Sequence, residues 1–226
     1  MKLSNDTINI LKNFAGINTG IVFNQGNVIK TISGNKNILA QASVAESFPV
    51  QFGVYDLNNF LTVLSLHKEE PEIEFGEKNA TIAGMGGRSK VNYRFCDPTM
   101  VVAPPEKPIA MPEAEIRFTL NEDDLSWILR SAAVLGSPNV AVTSDGSKVG
   151  VLVFDATNDA ASTNTLEVAD GNGDSYKMIF KTEALKMIPG SYDVAISSRG
   201  VSHFTNRARD LQYWITTEAG STFTKG

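Results

Sequence analysis

Cysteine is almost missing from these 226 residues. Cys96 stands alone, so the chain can form no internal disulfide and suits a reducing compartment. Histidine is nearly as scarce. His67 and His203 are the only two, and neither has a cysteine or carboxylate at ligand spacing, which argues against a tetrahedral metal site. Long apolar runs are absent: "VGVLVF" near 149–154 is far too short to cross a bilayer. The opening "MKLSNDTINI" lacks the apolar core of a signal peptide, so a cytoplasmic protein is expected. There is no G-x-S-x-G and no nucleophile with an adjacent base. Positive charge is not in excess either. A formal charge of −5 and a pI near 5.1 argue against a protein that simply coats nucleic acid.

What is present is an uneven distribution of proline. Five of the nine prolines (Pro98, Pro104, Pro105, Pro108 and Pro112) fall between Asp97 and Glu113, at the midpoint of the chain. Proline fixes φ and donates no backbone hydrogen bond, so neither a helix interior nor a central strand accepts such a run. The stretch reads as a stiff connector over 101–112, joining a domain at 1–100 to another at 113–226.

The two halves follow one plan. "LSNDTINILKNFAG" predicts a helix capped by Ser4, with Ile8, Leu11 and Ala15 on one face and Gly16 as its stop. "LNEDDLSWILRSAAVLG" repeats this, with Asn121 as cap, Glu122, Asp123 and Asp124 at the positive end of the dipole, and Gly136 as its end. Laid over each other, Leu3 meets Leu120, Asp6 meets Asp123 and Ile8 meets Leu125. After a slip of one residue, Leu11 meets Leu129 and Lys12 meets Arg130. A second short helix is expected in each half: "YDLNNFLTVLSL", capped by Asp56 with Leu57, Phe60, Leu61 and Leu64 on one side, and "KTEALKMIPG", capped by Thr182 with Leu185 and Ile188 apolar.

Most of the remainder reads as strand. "NVAVTSDGSKVGVLVF" is a hairpin about Asp145-Gly146. "EIEFGEKNATIAG", "SYDVAISSRGVSHF" and "GIVFNQGNVIKTIS" read as hairpins too. Helices interrupting antiparallel meanders give an α+β class.

Motifs that might carry chemistry mostly fail on inspection. "DGNGDS", from Asp170, opens like a calcium loop, but Ser175 replaces the sixth-position glycine and Lys181 the twelfth-position glutamate; it reads as a polar hairpin loop. "GMGGRS" at 84–89 lacks the third glycine of G-x-G-x-x-G, where Ser89 stands, carries no G-K-[ST], and reads as a turn. Cys96 has no cationic run beside it and reads as a structural thiol. The acids at 122–124 complement a helix dipole. Tyr93 and Phe95 read equally as core strand residues or as part of a subunit contact. No catalytic residue, metal or cofactor is expected. A non-enzymatic β-rich virion or ligand-binding protein fits these features, and an enzyme fits them least.

Three long strings then carry a resemblance: "MKLSNDTINILKNFAGINTGI" at the start, "VYDLNNFLTVLSL" at 54–66 and "DPTMVVAPPEKPI" at 97–109. In order and spacing they resemble the sliding clamps of T-even-type bacteriophages, DNA polymerase processivity factors. The second half resembles that family through its layout, in "LNEDDLSWILR" and "ALKMIPGSYDV". The resemblance implies a DNA-clamp fold of two similar domains, each with two short helices on antiparallel sheets, assembling as a homotrimeric ring. Duplex DNA of any sequence passes through the ring, whose hole the helices line. It implies further partners: the C-terminal peptide of the DNA polymerase, an ATP-driven clamp loader and late-transcription factors, all in the cytoplasm of an infected bacterial host, with no membrane and no catalysis. Lys2, Lys12, Arg130, Lys181 and Lys186 become the candidate DNA-facing cations, although the second helix carries Asn58 and Asn59 where bases would serve. Val101, Val102, Ile109, Met111, Leu211 and Trp214 become the candidate pocket for partner peptides.

Overall fold

The structure, a computed structural model, describes residues 1–67, 70–107 and 109–226. The chain divides into two compact units, Met1–Pro108 and Ile109–Gly226. Pro108, one of the connector prolines, lies outside the described residues.

The first unit runs α1 (Asn5–Ala15), β1 (Ile21–Phe23), β2 (Gly26–Ile32), β3 (Ile38–Phe48), β4 (Phe52–Val54), α2 (Leu57–Ser65), β5 (Glu72–Phe75), β6 (Asn79–Gly84) and β7 (Ser89–Arg94). A single 3-10 turn follows at Pro98–Met100. All pairing is antiparallel: β1 with β4, β2 with β3, and a three-stranded β5-β6-β7 meander. Ser4 and Asp56 cap the two helices, accepting from the amides of Thr7 and Asn59. The core is aromatic. Phe52 lies between Phe23 and Phe95, with ring centroids 4.6 and 4.5 Å away, and Phe48 and Phe75 close the cluster from the sides.

The second unit runs β8 (Ile116–Leu120), α3 (Glu122–Leu135), β9 (Asn139–Asp145), β10 (Lys148–Phe154), β11 (Asn164–Asp170), β12 (Ser175–Lys181), β13 (Tyr192–Ser197), β14 (Val201–Asn206), β15 (Leu211–Thr216) and β16 (Thr222–Thr224). One sheet has the order β11-β10-β9-β12-β16, and β15-β14-β13-β8 form another ladder. The β9–β10 hairpin turns at Gly146, whose φ of +101° only glycine takes without strain. Gly136 ends α3 in the left-handed conformation, with φ at +63°. Helices interspersed with antiparallel sheets in two similar units make this an α+β fold. Leu3 and Leu120, which the repeat superposes, are both buried immediately before a helix cap.

Several local expectations need correction. "GIVFNQGNVIKTIS" is not a hairpin: β1 pairs with β4 and β2 with β3. "DGNGDS" joins β11 to β12, which are separated in the sheet by β10 and β9, and its Gly171 and Gly173 amides instead donate to Ser147 and Gly146 of the β9–β10 turn. The second helix of the second half is only a 3-10 turn at Thr182–Leu185, with Lys181 at the cap position but no side-chain cap bond. Thr182 lies inside it and spends its hydroxyl on the Ser137 carbonyl at 2.9 Å. Asn121 holds the cap position of α3 without capping with its side chain, which points to Asp124, and the Glu122 amide donates to Ser191 Oγ instead. On α1 the buried face is Thr7, Ile10, Leu11 and Phe14; Ile8 and Ala15 are only half-buried.

Candidate functional site

Each helix turns a different chemistry outward. The core face of α1 leaves Asn5, Asn9 and Lys12 exposed on the opposite side. α2 exposes Asn58, Asn59, Thr62 and Ser65, all neutral. α3 buries Leu125, Ile128 and Ala132 and exposes Glu122, Asp123, Ser126, Trp127, Arg130 and Val134. Lys12 and Arg130, matched by the internal repeat, are thus both solvent-facing cations on the first helix of a unit. Arg130 reaches back to Ser126 Oγ at 3.5 Å. Lys2 and Lys186 are also exposed. Lys181 is half-buried and pairs with Glu218 at 3.7 Å, so its charge is partly balanced within the protein.

The candidate peptide-binding residues have different surroundings. Val101 and Leu211 are buried in their own units. Val102 is exposed, and its carbonyl accepts from Asn18 Nδ2 at 3.0 Å. Ile109 and Met111 are half-buried. The Trp214 indole stacks on His203 at 4.6 Å, with planes 9° apart. Burial holds the His203 imidazole below its ordinary pKa; the bond to Gln212 opposes this and Arg117 reinforces it. Tyr93 packs against Phe60 at 5.0 Å, and Phe95 belongs to the aromatic core. Cys96 is half-buried, and burial pushes its thiol up, with Asp97 adding to the effect, which suits a structural thiol.

Cavities offer little chemistry. One of about 230 Å³ lies beside α1 and α2, lined by Leu3, Ile8, Leu61, Leu64, His67 and Ile73. His67 is buried there, with neither ring nitrogen bonded among the described residues. A shallower one in the second unit is lined by Arg117, Thr119, Asp193, Ala195, His203 and Thr205. Among the described residues, no three His, Cys, Asp or Glu side chains gather to hold a metal. Among the described residues no helix is long and apolar enough to cross a membrane.

Two sheet edges stand out, and reading the sequence did not single them out. β7 ends the β5-β6-β7 meander and β11 ends the five-stranded sheet, each with one ladder neighbour among the described residues. In β7, Ser89, Val91 and Tyr93 are half-buried while Lys90, Asn92 and Arg94 are exposed. In β11, Asn164, Leu166 and Val168 are half-buried while Thr165 and Glu167 are exposed. One edge is therefore basic on its outer face and the other acidic, and both are apolar toward their helix. α2 covers β7 through the Phe60–Tyr93 contact, and α3 covers β11, where Asn164 Nδ2 donates to Ser131 Oγ at 2.8 Å. The alternation in "SKVNYR" and "NTLEVAD" was the available signal, but alternation does not say which strand ends a sheet.

Comparison with known proteins places this architecture. A family model described as DNA polymerase processivity factor matches residues 4–103, and one described as gp45 sliding clamp, C terminal, matches 117–219. The sliding clamp of Vibrio phage KVP40 is 34% identical over 224 residues, covering 97% of this chain and all of its own. That of Enterobacteria phage T4 is 33% identical over 227 residues, covering 98% of this chain and 99% of its own. Among solved structures, PCNA from Thermococcus kodakaraensis has a TM-score of 0.67 at 12% identity, covering 94% of this chain and 96% of that one. A Helicobacter pylori beta clamp bound to a DNA ligase peptide has a TM-score of 0.69 at 11% identity, covering 96% of this chain and 65% of that one. At such low identity these two structures speak for the fold alone. With family models spanning both units and phage relatives matched end to end, the chain belongs to the sliding-clamp family of DNA polymerase processivity factors.

Proposed function

We propose that three copies of this chain close head to tail into a ring around duplex DNA and tether the replicative polymerase of a phage in the cytoplasm of its bacterial host. The observation that carries this reading is the complementarity of the β7 and β11 edges. An unpaired strand edge is a template for another chain, and soluble proteins seldom leave two exposed without a use. Because the basic edge lies on one unit and the acidic edge on the other, each copy can join β7 to β11 of the next. Such head-to-tail contacts close into rings when the rotation permits.

A ring held by topology needs little affinity for what it encloses. Phosphate attraction without base readout gives dissociation constants of only about 10⁻⁴ to 10⁻⁶ M at physiological salt, weak enough to permit sliding. One cation on α1 and one on α3, repeated around the ring, suit that task, while the net charge of −5 discourages DNA from the outer surface. The protein acts without catalysis in this reading. An ATP-driven loader opens the ring, and partners including the polymerase and late-transcription factors dock through short peptides, for which Val102, Ile109 and Met111 offer accessible apolar groups.

Molar mass by light scattering across a dilution series tests the assembly, and polymerase run length on primed circular DNA tests the tether. The expected species is near 73 kDa, three times 24.4 kDa, and the expected run length increases only when loader and ATP are present. A chain that stays monomeric at high concentration, or one that leaves run length unchanged with loader and ATP present, would overturn the proposal.

A further inference from the structure

A helix packed on a sheet turns its apolar side chains inward, so large apolar groups on its outer face call for an occupant. On α3, Trp127 is 48% exposed and Val134 81% exposed. Trp127 precedes Ser131 by four residues and Val134 follows it by three, so the three share one stripe of the helix. Ser131 is the residue that accepts from Asn164 on β11. The Trp127–Val134 stripe therefore lies on the flank of α3 that meets the acidic edge strand. α2 carries a counterpart. Phe60 touches Tyr93 on β7, and Val63 and Leu66 follow it at steps of three; Val63 is half-buried and Leu66 is 65% exposed. Each open edge is thus covered by a helix with an uncovered apolar row beside it.

We infer that Trp127 and Val134 dock on Val63 of α2 and on Leu66, the residue at its C-terminal cap, in the next copy of the chain. This rests on the β7–β11 pairing proposed above and adds a second layer to it. Pairing those edges continues the sheet across the junction, and helices lying side by side on one sheet pack about 10 Å apart, within reach of an indole and a leucine. The occupant is a second copy rather than DNA, because an indole and a valine offer phosphate no charge. Arg130 sits about 60° round the helix from Trp127 at 100° per residue, so the cation stays free to face elsewhere. The junction then has an apolar inner layer between helices and an ionic outer layer between Lys90, Arg94 and Glu167.

The test uses the full chain carrying Trp214→Phe, which leaves Trp127 as the only indole of two and keeps a ring against His203. Molar mass and tryptophan emission are followed together on dilution, and the series is repeated with Val134→Glu added. The emission of Trp127 is expected to shift to the red as the 73 kDa species dissociates. Val134→Glu is expected to move dissociation to a concentration at least about tenfold higher. Its far-ultraviolet circular dichroism should match the parent, because the valine is exposed in the single chain. Dissociation without an emission shift, or a Val134→Glu protein that dissociates at the parental concentration, overturns the helix contact and leaves the ring standing. A parent that stays at 24.4 kDa throughout overturns the ring and the helix contact with it.

Discussion

Glu46, on β3, accepts a 2.5 Å hydrogen bond from the Thr7 hydroxyl in the first turn of α1. Its other carboxylate oxygen accepts from the Ser4 amide, so one acidic side chain ties the start of the helix to a strand far along the chain. This explains why a threonine sits on the buried face of α1: its hydroxyl is satisfied there. Burial works to raise the Glu46 pKa, but the bonds from Thr7 and Ser4 outweigh it, and the group titrates below the ordinary value of 4.5. A carboxylate depressed in the folded state contributes stability at neutral pH, and that contribution is lost as pH falls below about 4.5 and through the folded value. Glu46→Gln is therefore expected to cost about 1–2 kcal/mol at pH 7 and to flatten the loss of stability in acid. Urea denaturation at pH 7 and pH 3 checks both; an unchanged acid slope would show that Glu46 is not the linkage group.

The Tyr192 and Tyr213 rings lie 6.1 Å apart and share one backbone residue: Tyr192 donates to the Ile188 carbonyl at 2.5 Å, and the Ile188 amide donates to the Tyr213 hydroxyl at 3.2 Å. Removing the Tyr213 hydroxyl leaves a buried amide without that acceptor, so Tyr213→Phe is expected to destabilise by about 1–3 kcal/mol. Burial pushes Tyr192 up to about 12 and Tyr213 up as well. Ultraviolet titration of the folded protein should show Tyr192 reaching its midpoint only near pH 12, and neither phenol contributing to the ordinary tyrosine transition near pH 10. Both ionising near pH 10 would contradict their burial.

Much of this fold is legible in the chain. Ser4, Asp56, Gly136 and the Asp145-Gly146 turn each follow from local chemistry, and local chemistry is what a short window of sequence contains. The errors share a cause. Ile8 and Ile10 both offer an apolar stripe on α1, and a contact 39 residues away, from Glu46 to Thr7, favours the second by satisfying its polar member. β1 joins β4 rather than β2, although the "NQG" turn suits a hairpin, because pairing is settled by the whole unit. At Thr182–Leu185 only a 3-10 turn forms, since Pro189 and Gly190 leave too few residues to repay helix nucleation. Of the candidate site, the exposure of Lys12 and Arg130 was readable because amphipathicity gives the outer face of each helix. The β7 and β11 edges were not, because the end of a sheet is a property of strand order.

The edge charges carry a prediction of their own. Glu167→Lys alone, or Lys90→Glu with Arg94→Glu, would set like charges against each other across the β7–β11 junction proposed above. Each should raise the concentration at which the trimer dissociates by about five- to tenfold. Combining the two sets restores opposite signs and should recover most of the loss. Added salt to about 0.5 M should narrow all these differences, since the Debye length there is well under 10 Å. Sedimentation of the four proteins decides it: a combined variant no better than its parts would mean that these residues do not face one another.

Lys12 and Arg130 are solvent-facing cations at matching places in the two units, neither forms an ion pair among the described residues, and Arg130 contacts Ser126 at 3.5 Å. Lys12→Glu with Arg130→Glu should therefore leave folding and trimer mass unchanged, because exposed charges contribute little to stability. What should change is the grip on DNA. A ring loaded on closed circular DNA cannot fall off an end, so its lifetime there reports on opening; on linear DNA, lifetime reports on sliding and on phosphate attraction as well. The double variant is expected to leave linear DNA several-fold faster while its lifetime on the circle is nearly preserved, and to lose a salt-dependence slope of about 1 for each phosphate contact removed. Equal retention on linear DNA would place the DNA-facing charges elsewhere, with exposed Lys2 and Lys186 the next to exchange.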